Sequence, residues 1–167
     1  MGILFLPGTL LLAWIFAVVG LSATGAEPSE EFAVAAMRWM LLMPGGIMFV
    51  VSGFMHTVFA KSTAKNIGWK TNGFQYELGF VSFGIGIAGI YAAYLNTGLG
   101  AAAATTNADA WIILSIIISV FLLGAAANHI KEMIADHNFS PGNSIVLLYD
   151  IGLPISLWAL LFAMGAF

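Results

Sequence analysis

Apolar runs of bilayer-crossing length follow one another along almost the whole of this sequence, and a soluble core cannot absorb them. A helix needs about 20 predominantly apolar residues to cross a hydrocarbon core about 30 Å thick. Backbone N–H and C=O groups find no water there, so each run must satisfy its own hydrogen bonds as a helix. Five runs can be read, at about 3–21, 32–59, 74–95, 110–134 and 144–167. Charged residues make up 8% of the 167 positions, against about a quarter in an ordinary soluble domain. The connecting loops are too short to fold by themselves. The chain is therefore expected to be all-α: one transmembrane domain over residues 1–167, a polytopic bundle of five membrane-spanning helices whose first partner is the lipid bilayer.

Charge and cysteine usage narrow the chemistry. There is no cysteine, which removes disulfides, thiolate nucleophiles, Cys-ligated zinc and iron–sulfur clusters. Five basic residues against eight acidic ones are too few for a nucleic-acid surface. The first run has no basic residue before it, unlike a secretory signal, and is expected to stay as a helix. Lys61, Lys65 and Lys70 lie between the second and third runs and Lys131 beside the loop between the fourth and fifth, whereas the linker with Glu27, Pro28, Glu30 and Glu31 and the loop Asn96 to Asp109 contain no lysine or arginine. The positive-inside rule then predicts a multi-pass inner-membrane protein with its N-terminus cytoplasmic and its C-terminus outside.

Several runs carry internal features. Pro44-Gly45-Gly46 should bend the second run, which also has Arg38 near its first end, placed to snorkel to the interface. In the third run Gly79, Ser82, Gly86, Gly89 and Ala93 recur in steps of three and four, a seam that lets another helix approach closely. Its Gly84-x-Gly86-x-x-Gly89 string is not a dinucleotide fingerprint, because no strand precedes it. Ser115, Ser119, Leu122, Ala126, His129 and Glu132 share one stripe of the fourth run, expected to face inward. Pro154, four residues after Asp150, deprives that carbonyl of its helix donor. The tryptophans lie mostly near run ends, as in an interfacial belt.

The ionisable groups share one depth. His56 ends the second run, Glu77 opens the third, His129 and Glu132 close the fourth within GAAANHIKEMI, and Asp150 lies about two turns into the fifth. Ionisable residues within spans are costly and face the bundle interior. One outcome is an interface layer in which these groups cap helix ends and satisfy one another. The other is a site near the cytoplasmic end that binds a divalent metal or relays protons, with His56 and His129 as nitrogen ligands, Glu77 and Asp150 as anionic ligands or proton carriers, and Glu132 orienting His129. A third is haem b held by His56 and His129. His137 falls in a loop and is expected to be solvated. The chain would serve as a small subunit of a membrane assembly or as a homo-oligomer, with a purely structural accessory protein as the rival; a transporter would need a discontinuous helix, hinted at only by Pro44-Gly45-Gly46.

From His56 onward the chain resembles an uncharacterised family of small bacterial integral-membrane proteins catalogued only as a domain of unknown function. The likeness is carried by His56, Ile67-Gly68-Trp69, FQYELGF (Phe74 to Phe80), GAAANHIKEMI, and the NFSPGN turn (Asn138 to Asn143) followed by Asp150 and Pro154. It implies a polytopic helical bundle and supplies no activity. A more distant similarity in layout is to DoxX-like membrane proteins, some of which accompany quinone-linked oxidoreductases.

Overall fold

The structure, a computed structural model, describes residues 4–23, 31–95 and 101–167, with the side chains of the last stretch from Ala108 onward. No strand occurs among the described residues. The helices are α1 (Phe5–Val18), α2 (Phe32–Leu42), a π-helical turn (Met43–Ile47), α3 (Met48–His56), α4 (Ala60–Ile67), α5 (Gly73–Tyr94), α6 (Ala101–Ala135), α7 (Pro141–Ser144) and α8 (Leu147–Ala163). Among the described residues four stretches are long and apolar enough to cross a membrane: Phe32–His56, Gly73–Tyr94, Ala108–Ala135 and Pro141–Ala163. The expected first span is shorter, since α1 has 14 residues where a crossing takes about 20; Ile3 lies outside the described residues. Val120 and Ile134 point outward with about 70% of their surface uncovered, as on a bundle solvated by lipid.

The boundaries differ from the sequence expectation in three places. The second run stops at His56, and the lysine-bearing segment after it is partly helical, because Ala60, Thr63 and Ala64 present one apolar face to the protein while Lys61 and Lys65 stay outside. Helix α6 starts at Ala101, so most of the loop expected to end at Asp109 is helical, in keeping with the alanines from 101 to 104, the best helix formers. NFSPGN holds a single helical turn, α7. The linker residues 24–30, with Glu27, Pro28 and Glu30, and Asn96 to Gly100 lie outside the described residues.

Pro44 has no N–H to return to the preceding turn, and the chain answers with the π turn rather than a simple bend. The Tyr149 hydroxyl donates to the Pro44 carbonyl at 2.5 Å, tying α8 to this irregular turn. The small-residue seam of α5 packs on the same region, so its partner is internal. A methyl at Gly86 would stand 2.6 Å from the Val50 nitrogen and 2.8 Å from the Gly46 carbonyl oxygen, and one at Gly89 would overlap the Gly45 backbone.

Two polar assignments are corrected by this packing. Arg38 does not snorkel to the interface: it is buried, and Nη1 donates to the carbonyls of Ala93 and Leu95, both at 2.7 Å, with the guanidinium 5.7 Å above the Trp111 ring. The C-terminal carbonyls of α5 lack helix donors of their own and are the natural acceptors. Nor do the tryptophans form a simple belt. Trp14 donates to Ser156, Trp39 to the Leu21 carbonyl, Trp111 to the Ala92 carbonyl and Trp158 to Ser119, because a covered indole N–H needs an acceptor.

Gly89→Ala should therefore lower stability in detergent unfolding by about 1–3 kcal/mol through overpacking. Gly84→Ala, on the same helix but open on its side-chain face, should be neutral or slightly stabilising. Equal effects from the two would contradict the seam.

Candidate functional site

Two loops clamp each other to build the site. Gly68 ends α4 in the left-handed conformation, with φ of 78°, where glycine is at home and a side chain would also strike the Asn138 amide. Asn138 Nδ2 donates to the Ile67 carbonyl at 2.8 Å. Gly142 lies against the Asn66 backbone so closely that a methyl would reach 2.5 Å from its oxygen. IGW and NFSPGN thus dock on one another, and Trp69 comes to lie flat on His129, ring centroids 5.2 Å apart and planes inclined by 18°.

Asn143 fixes the imidazole. Its Nδ2 donates to the carbonyls of Asn138 at 2.8 Å and His129 at 3.1 Å, which leaves Oδ1 to face His129 Nδ1 at 2.6 Å. An amide oxygen can only accept, so Nδ1 must carry the proton. In the neutral ring Nε2 is then a lone pair, and it faces Asp150 Oδ2 at 3.9 Å. Lone pair against carboxylate is repulsive. The arrangement calls for one proton, either on the carboxyl or on the ring. The gap is too long for a direct hydrogen bond and suits a bridging water or a small polar group.

Both side chains line a cavity of about 580 Å³ shared with His56, Trp69 and Asn128 at its polar end and with Met48, Phe49, Leu78, Phe121 and Val146 along its walls. Asp150 is 2% exposed. Its Oδ2, His56 Nδ1 and Trp69 Nε1 are buried without a hydrogen-bond partner among the described residues. Buried polar atoms are nearly always satisfied. Three unpaired ones lining one cavity mark where a polar atom of something else belongs. Phe5, Val51 and Asn128 line the cavity and are themselves exposed, which is where it opens.

Of the five residues expected in the layer, His56, His129 and Asp150 come together on this cavity, and Glu77 and Glu132 do not. Glu77 stands exposed on the outer side of α5, because the seam that packs inward takes the opposite side of the helix. Glu132 is half-buried and outside the lining; the residue that orients His129 is Asn143. Among the described residues no three His, Cys, Asp or Glu are grouped as a metal ion requires. His137 is exposed, as expected, with a positive φ of 51°. Asn143 and Trp69 were not expected in the site: asparagine in SPGN reads as a turn former, and a tryptophan at a run end as an interfacial anchor.

The fold and cavity define a small all-helical protein with the span lengths and apolarity of a membrane bundle. Within that class the chain belongs to DUF6790, a family of unknown function, whose sequence profile covers residues 4–166. No curated protein and no solved structure matches it.

Asn143→Ala would leave the His129 Nδ1–H without its acceptor and take the amide donor from the Asn138 and His129 carbonyls. It should cost about 1–3 kcal/mol in denaturant unfolding, several times the effect of Asn72→Ala, which removes one exposed 3.3 Å cap contact at the start of α5. Comparable losses would mean that the amide does not hold the site together.

Proposed function

We propose that this protein is an integral membrane protein that exchanges protons at the His129–Asp150 pair, at the head of an apolar cavity, with His56 as a second imidazole along the path. The observation that carries this is the pairing itself: Asn143 commits Nδ1 as a donor, so Nε2 and the unpartnered Asp150 Oδ2 need one proton between them. The other titratable groups on the cavity are His56 and Tyr149, and the Tyr149 hydroxyl is committed to Pro44. No lysine or arginine lines it. A proton is thus the smallest charge that can settle the carboxylate.

The metal reading has less support. It would rest on His56, His129 and Asp150 alone, with Glu77 and Glu132 turned elsewhere, and among the described residues no three His, Cys, Asp or Glu are grouped closely enough to hold an ion. In the membrane, the first apolar run makes the fifth crossing, and the exposed Lys61, Lys65 and Lys70 and Lys131 lie on the cytoplasmic face of a bacterial inner membrane.

Infrared spectroscopy of the protein in lipid, titrated with pH in D2O, tests the pairing. One carboxyl band should be lost in Asp150→Asn, and in His129→Gln it should titrate at a clearly different pH, because removing the imidazole removes half of the shared site. A carboxyl that titrates identically with and without His129 rules out a common proton.

A further inference from the structure

The cavity has a charge and a wall chemistry that together specify a ligand, and this inference rests on the proton-exchange reading above. Among the described residues Asp150 contributes the single carboxylate of the lining, and no lysine or arginine faces it there. Its Oδ2 is buried and unpartnered among the described residues. Removing a carboxylate from water is costly unless a counter-charge comes with it. Phe5, Phe49, Trp69, Phe121 and Tyr149 also line the cavity, and aromatic rings attract cations.

We infer that the cavity binds an organic monocation, an amine or quaternary ammonium with an apolar body, whose charge lies at Asp150 while its body fills the aromatic walls. The volume of about 580 Å³ falls within the range of about 300–1,000 Å³ typical of small-molecule sites. An anion would meet the carboxylate, and a neutral apolar molecule would leave the shared proton in place and draw nothing from the acid. Calcium or magnesium would want six or more oxygen ligands or an octahedral water shell, which the apolar walls do not provide, and among the described residues no three His, Cys, Asp or Glu are grouped for a transition metal. The cation takes over as counter-charge from the proton shared by His129 and Asp150, so each cation that enters releases one proton. Phe5 and Val51 at the exposed edge offer an apolar approach.

The test uses the full chain in lipid nanodiscs with benzyltrimethylammonium and its uncharged carbon isostere, neopentylbenzene, each measured by equilibrium dialysis against protein-free discs. The cation should saturate at one per chain with release of a proton, and the isostere should bind about tenfold more weakly or worse. Asp150→Asn should weaken cation binding by a similar factor, while Asp136→Asn, which removes an exposed acid and changes net charge equally, should leave it unaltered. Equal binding of cation and isostere by the wild-type chain overturns the inference whether or not the Asp150 variant folds. So do the absence of saturable cation binding and an equal loss in Asp136→Asn. If the shared-proton infrared signature is present and cation binding is absent, only this inference fails; if the signature is absent, the reading beneath it fails as well.

Discussion

In an apolar bundle the few polar groups must satisfy one another, and Asn143 is where this chain gathers most of them. Fully buried, it accepts from the His129 ring and donates to the His129 and Asn138 carbonyls. Those contacts join the end of α6 to the turn that leads into α8. They also decide which nitrogen of His129 carries its proton, and so what Asp150 faces. Without that amide the ring could turn or change tautomer, and the need for a shared proton would disappear.

The rest of the bundle positions the two partners. The α5 seam brings its backbone onto Gly45, Gly46 and Val50, which fixes α3 and therefore His56 beside the cavity. The irregular turn at Pro44 offers a carbonyl to Tyr149, and the residue after that tyrosine is Asp150. One hydrogen bond thus ties the depth of the carboxylate to the one place where the second run departs from α-helical geometry. Arg38 closes the opposite end of α5 by occupying its last carbonyls. Small residues, a proline and a buried cation, each unfavourable alone in a helix in lipid, hold the cavity open because each meets a partner on another helix.

Much of this was legible in the sequence. Hydrophobic run length located four helices long and apolar enough to cross a membrane, and helical periodicity placed Ser115, Ser119, Leu122, Ala126 and His129 on a face that is buried. Depth could be read because it follows from position along a run. Direction around the axis could not be read between helices: Glu77 lies at the right level but on the wrong side of α5, and Glu132, three residues on from His129, is rotated by about 60°. The partners of Arg38 and of Trp69 are contributed by segments distant in sequence, so local rules sent both to the interface. Asn143 was hidden by its own turn propensity, since its side-chain role depends on α6 passing beside it.

Solid-state NMR of the protein in bilayers, with its histidines labelled with nitrogen-15 and the His129 signals assigned by comparison with His129→Gln, reads the central point directly. Nδ1 of His129 should carry a proton in the folded protein, donated to the Asn143 amide oxygen. A neutral ring bearing its only proton on Nε2 would contradict the account.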